Sequence, residues 1–234
     1  MIFNVPVSDR PGRRFEASEE RLLDGDLVVL ARHLPGADES LYVSREVVGP
    51  RGIADLVATT RIGHSLDERL STGLAPLTNP SDVAIVAAAN FRRTLTPDSL
   101  ARVLGQTSEQ VMRRVPSLIS RGYLLRSGRG VRRTAGLSPL GRTYAIEAKV
   151  NDWQKGLSQA LRYGAWCDAT ALALLRPPRN LTEARGRCEH FGIGLAVRDR
   201  WILRPRLGHP QPAMRLLASE MWLENLVHSP SLRE

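Results

Sequence analysis

Two positions apart in the run Thr143-Tyr-Ala-Ile-Glu-Ala-Lys-Val150 stand a carboxylate, Glu147, and an amine, Lys149. A strand there puts Tyr144, Ile146, Ala148 and Val150 on one face and Ala145, Glu147 and Lys149 on the other. The two charged groups then point the same way, about 6–7 Å apart by the strand rise. Such a pair can bind a hard cation and hold a water beside it. Lysine is scarce here: of 33 basic residues only Lys149 and Lys155 are not arginine. An arginine cannot give up its proton at accessible pH, whereas a lysine can. A magnesium site wants about two carboxylates and keeps several waters. Asp55, in Gly52-Ile-Ala-Asp-Leu-Val57 among apolar neighbours, is the candidate second acid. The plain alternative is an ordinary ion pair on a solvated strand face.

One helix further on stands Gln159-Ala-Leu-Arg-Tyr163. Taken together, Asp55 on the second strand of a hairpin, Glu147-Ala148-Lys149 on the next core strand and the Gln159/Tyr163 pair resemble the PD-(D/E)xK nuclease superfamily. The resemblance covers residues of about 17–60 and 140–176, in the order helix, strand, strand, strand, helix, strand. It implies that Asp55 and Glu147 bind Mg²⁺ or Mn²⁺, with the Ala148 carbonyl as a further ligand. Lys149 would orient or deprotonate the attacking water. Gln159 and Tyr163 would support the site or touch the DNA backbone. An acid from the first helix often joins such sites; Glu20 is the candidate, with Glu19 and Glu46 as alternatives. In this sequence Asp55 follows Ile53-Ala54 where many members have a proline.

The elements that must position these residues can be read from periodicity and punctuation. Ala17–Leu34 has helical spacing and ends at Pro35-Gly36. Leu41–Val48 and Ile53–Thr60 read as strands joined by a Gly49–Gly52 hairpin loop. The stretch before Glu16 reads as irregular, and Arg61–Pro80 as a connector with at most one short helix. After the Glu147 strand come a helix from Asp152 to Trp166, a strand at Ala169–Leu175 and a helix at Leu181–Phe191. A hairpin at 193–204 and a C-terminal helix after Pro210 and Pro212 follow. The expected fold is α/β (α+β): a restriction-endonuclease-like mixed sheet flanked by helices.

Residues 81–134 form a different unit. Ser81 opens one helix, Thr96-Pro97 a second and the capping-box pattern Thr107–Gln110 a third. A basic hairpin brackets Ser127-Gly128-Arg129-Gly130. Three helices and a basic hairpin are the winged helix-turn-helix order, in which the third helix enters the major groove and the wing meets phosphates. Ser108, Gln110, Arg113 and Arg114 would face DNA from the helix, and Arg126, Arg129, Arg132 and Arg133 from the wing. Pro116 should kink that helix. The expected organisation is a discontinuous core (1–62 and 140–209), an inserted winged helix-turn-helix (78–138) and a C-terminal helix (210–234) packed on the core.

Bulk properties agree with a polyanion partner: the formal net charge is +9. No apolar run is long enough to span a bilayer, and the first residues lack a signal-peptide layout, so the expected location is cytoplasmic with no membrane partner. Cys167 and Cys188 are too few for a disulfide framework. Cys188-Glu189-His190 is at most half a zinc site, and a buried thiol is the expected reading. The resemblance implies a metal-dependent DNA endonuclease, with a homodimer left open. The competing function is a winged-helix DNA-binding protein or transcriptional regulator on an inactive nuclease scaffold.

Overall fold

The computed structural model describes residues 2–5, 19 and 21–227 of the 234-residue chain. It is an α/β protein folded as two compact units. The first takes the chain up to Ile62, then Gly141–Pro210 and the end of the last helix from Asn225; the second takes Gly63–Leu140 and Gln211–Glu224.

The first unit is built on a seven-stranded mixed sheet. Its strands are β1 (Ile2–Val5), β2 (Leu41–Gly49), β3 (Gly52–Thr60), β6 (Arg142–Lys149), β7 (Ala169–Leu174), β8 (Gly194–Val197) and β9 (Arg200–Leu203), side by side in that order. β2–β3, β3–β6 and β8–β9 are antiparallel, whereas β1–β2, β6–β7 and β7–β8 are parallel. Period-two alternation sorts the side chains. Leu41, Val43, Leu56, Ala58, Tyr144, Ile146 and Ala148 share a core with Leu27, Leu30 and Ala31 of helix α1 (Asp24–Arg32). On the other side, Leu172 and Leu174 pack with α6 (Trp153–Tyr163) and α7 (Leu181–Phe191) through Leu157, Ala160, Ala184 and Cys188. Asp152 starts α6 by accepting from the Lys155 N–H, one of the free donors at a helix start.

The second unit holds α2 (Gly63–Ser71), α3 (Pro80–Ala88), α4 (Pro97–Leu104), α5 (Ser108–Ser120) and the ribbon of β4 (Leu124–Ser127) and β5 (Gly130–Arg133). Thr107 and Gln110 form the reciprocal capping box at the start of α5. The element order is three helices and a ribbon, followed by helix α8 (Pro212–Val227).

Three expectations need correcting. Ile2–Val5 is a strand, parallel to β2; four residues are too few to show periodicity, and the pairing is long-range. The first helix is interrupted, with a 3-10 turn at Arg21–Leu23 before α1, and residues 17, 18 and 20 of the expected helix lie outside the described residues. Pro116 lies inside α5, which is helical on both sides of it. The C-terminal helix belongs with the second unit as far as Glu224, not with the core. Leu216 and Leu217 lie in the cluster of Val83, Leu100, Val111 and Tyr123.

Candidate functional site

β3 and β6 are paired from Thr60↔Arg142 to Leu56↔Ile146, and there the ladder ends. The next pair along would be Asp55 and Glu147. A main-chain N–H that loses its ladder partner inside a protein must find another acceptor. Asp55 supplies it: its Oδ2 accepts from Ala148 N–H at 2.7 Å. A side chain from 93 residues away in sequence is thereby fixed at the Glu147–Lys149 strand end.

Glu147 and Lys149 are 1% and 3% exposed. Lys149 Nζ donates to Glu147 Oε1 at 2.7 Å and to the Ala148 carbonyl at 2.8 Å. The other carboxylate oxygen, Oε2, lies 2.6 Å from the Tyr163 hydroxyl, which also sits 2.5 Å from the Ile53 carbonyl. The Tyr163 hydroxyl is held far above the ordinary phenol value. Burial is the main cause, followed by its hydrogen bond to Glu147 and the negative charges of Glu147 and Asp55. It is therefore a neutral donor at physiological pH. Gln159, one turn earlier on α6, interacts with the same hydroxyl. Its Oε1 is buried with no hydrogen-bond partner, an arrangement that costs about 1–3 kcal/mol.

The chain approaches so closely because of Gly156. A Cβ there would collide with Leu172 and come within 3.0 Å of Lys149 Cγ. This residue was missed at the sequence level, although a glycine inside a helix is itself a signal of close approach.

Two carboxylates and a main-chain carbonyl are hard oxygen donors of the kind Mg²⁺ or Mn²⁺ takes. Among the described residues no three acidic, histidine or cysteine side chains gather into one metal-holding group. A cation would therefore rest on Asp55, Glu147 and the Ala148 carbonyl, with water completing the shell. The residues fit that role: the Lys149 ammonium already lies on two of these oxygens, so the place accepts positive charge. The unpartnered Gln159 Oε1 is an acceptor ready for a water hydrogen.

Of the other candidate acids, Glu19 and Glu46 are not brought in. Glu20 lies outside the described residues. Glu19 is exposed and 3.9 Å from Arg176. Glu46 is exposed with φ 49°, interrupting the β2–β3 ladder between Arg45↔Leu56 and Val47↔Ala54. Cys167 and Cys188 are buried, and no disulfide joins them.

In the second unit the α5 residues are locally engaged. Ser108 donates to Asp98, the Gln110 side chain accepts from Thr107 N–H, and Arg113 pairs with Glu109. Arg114 bonds Asp82 and Asn79. On the ribbon, Arg126 and Arg129 are exposed, while Arg132 and Arg133 are partly buried. Burial lowers the Arg133 guanidinium's pKa from its ordinary value. No described helix is long and apolar enough to cross a membrane.

No protein-family model, curated protein or solved structure matches the chain. The chemistry of the site has to be argued from its own residues.

Proposed function

We propose that the protein is a metal-dependent DNA endonuclease of PD-(D/E)xK type, hydrolysing phosphodiesters at Asp55, Glu147 and Lys149, with a winged-helix module that grips DNA. The observation that carries this reading is the meeting of Asp55 from β3 with the Glu147–Lys149 pair around Ala148. The order α1, β2, β3, β6, α6, β7 also follows the superfamily pattern.

A bound Mg²⁺ or Mn²⁺ supplies polarisation of the attacking water and neutralises charge on the phosphate. The chain's own groups do the rest. Lys149, released from Glu147 Oε1, places its amine beside the water to orient it or take its proton. Tyr163, held neutral, fixes the second oxygen of Glu147. Gln159 Oε1 accepts a hydrogen from the water and sets its direction. Arginines of the ribbon supply salt-dependent phosphate contacts.

Cleavage of duplex DNA should require Mg²⁺ or Mn²⁺ and should vanish in Lys149→Ala. Undiminished cleavage in that variant removes the site. A second reading is favoured by one specific observation: both Glu147 oxygens and the Ala148 carbonyl already have donors from within the chain. On that reading the protein is a non-catalytic DNA-binding regulator. It then binds DNA in a salt-sensitive way, cuts with no metal, and keeps its affinity in Glu147→Ala.

A further inference from the structure

Phe91 is an anomaly in the second unit. Large aromatic side chains gain most from burial, yet this ring is 45% exposed. Two guanidinium groups flank it. Arg92 lies 5.1 Å and Arg133 6.0 Å from the ring centroid, within cation–π range.

The ring's backbone is fixed. Asn90 Oδ1 accepts from the main-chain N–H groups of Arg92 at 2.7 Å and Arg93 at 3.1 Å, which closes a tight turn with Phe91 at its tip. Arg133 N–H donates to the Asn90 carbonyl at 3.1 Å. Leu95 and Val131 exchange N–H···O bonds of 3.0 and 2.9 Å. Residues 90–95 therefore lie along β5 as a third edge of the ribbon. Gly130 permits the approach, since a Cβ there would strike the Leu95 carbonyl.

The surroundings are of one sign. From Val83 to Pro97, and from Gln110 to Ile146, there is no acidic residue. Arg92, Arg93, Arg126 and Arg129 are exposed, and none forms an ion pair among the described residues. An aromatic face inside a field of arginines suits a ligand that alternates flat π-systems with anions. That is the chemistry of single-stranded nucleic acid. A duplex buries its bases in the stack and offers this ring only sugar and phosphate.

We propose that Phe91, flanked by Arg92 and Arg133, is a stacking platform for an unpaired base of a DNA strand, with Arg93, Arg126 and Arg129 holding the adjacent phosphates. The proposal rests on the DNA-binding reading above and narrows it: the preferred DNA carries a single-stranded segment.

The test uses the full chain and a fluorescein-labelled oligothymidylate of twelve nucleotides, with fluorescence anisotropy as readout. A duplex of equal length and an oligouridylate of the same length serve as comparisons. The oligothymidylate should bind more tightly than the duplex. Phe91→Leu, which keeps apolar bulk and removes the π face, should weaken single-strand binding by about fivefold or more and leave duplex binding within about twofold. Arg126→Ala should weaken both and flatten the salt dependence, as loss of one phosphate contact does. A 2-aminopurine in the strand should be quenched by wild type and not by Phe91→Leu. Equal single-strand affinity in Phe91→Leu overturns the platform, as does equal loss on duplex and single strand. Tighter binding of oligouridylate moves the ligand to RNA and overturns the DNA assignment. If wild type binds duplex but no single strand, the platform alone fails; if it binds neither, the DNA reading fails with it.

Discussion

Each unit of the protein buries an ion pair, and the two pairs are built on opposite terms. In the second unit Arg69 and Glu220, each 1% exposed, are bonded through two nitrogen–oxygen contacts of 2.9 and 2.7 Å. The remaining guanidinium hydrogens go to Thr72 Oγ1, the Leu74 carbonyl and the Ala75 carbonyl, and Glu220 Oε2 also accepts from Leu77 N–H. A permanently charged, planar group is saturated by fixed partners. It is a clasp between α2, the following loop and α8. In the first unit the cation is a lysine, able to lose its proton and to swing on a flexible stem. Beside it stand an amide oxygen with no partner and a phenol between two acceptors. Burial of a charge pair alone thus does not separate the two; incomplete satisfaction around a titratable member does, and it is the ground for proposing the first unit's pair as the working site.

The comparison can be broken first at the clasp. Removing one member of a buried, hydrogen-bonded pair leaves the other charge uncompensated, at a cost of about 3–5 kcal/mol. Arg69→Met should lower the urea midpoint accordingly, with Glu220 stranded beside Leu77. A loss below about 1 kcal/mol would show that the clasp is not what orders the second unit.

The next largest effect is expected at Gly156→Ala. The added methyl must push Leu172 and the Lys149 stem aside, and overpacking of this kind costs about 1–3 kcal/mol. Because Lys149 is displaced as well, DNA cleavage should fall by more than the fraction of unfolded protein explains. Full activity per folded molecule would mean that the lysine's position is not critical.

Gln159→Leu sharpens the contrast from the other side. Leucine removes an unsatisfied buried oxygen together with the amide's contact to the Tyr163 hydroxyl, so a gain and a loss of similar size offset each other. Thermal stability should therefore change by less than about 1 kcal/mol, in either direction, while cleavage drops about tenfold or more. A clear destabilisation with cleavage intact would make Gln159 a packing residue and no part of the chemistry.

Much of the first unit was legible in the chain itself because its signals are local. The Leu41–Gly49 and Gly52–Thr60 hairpin announces itself by alternation around a Gly/Pro turn, and Glu147 and Lys149 share a face by parity alone. Gln159 and Tyr163 share a helix face by their four-residue spacing. What could not be read were features set by partners far along the chain. Asp55 as acceptor for Ala148 depends on the point where the β3–β6 ladder opens. The Arg69–Glu220 clasp joins residues 151 positions apart. A glutamate among Leu216, Leu217, Trp222 and Leu223 was the available hint that α8 must bury a charge against something. Pairing of Arg114 with Asp82 depends on how α3 packs, which no spacing rule gives, whereas the Arg113–Glu109 pair is a four-residue spacing the chain itself shows.

The smallest effect concerns alkaline pH, where the first unit carries two buried acids that resist ionisation. Burial pushes the Cys188 thiol up from 9.0 to about 11, and it raises the Tyr163 phenol as well. The folded chain thus holds both protons more tightly than the unfolded chain does. Their stabilising effect is complete below the unfolded values and is lost as pH rises through the folded ones. For the thiol that window runs from 9.0 to about 11; for the phenol it opens near 10 and extends upward. The melting temperature should accordingly fall as pH is raised from neutrality through 10. In Cys188→Ala the early part of that slope should be shallower, whereas in Tyr163→Phe only the later part should flatten. Cys188 packs among Leu172, Leu195 and Ile193, so its variant should cut DNA at the wild-type rate. Tyr163→Phe releases one oxygen of Glu147 and should not. If both variants shift the same stretch of the pH curve and the same fraction of activity, Cys188 and Tyr163 answer to one coupled unit, and the distinction between a packed core and a working site fails in this half of the molecule.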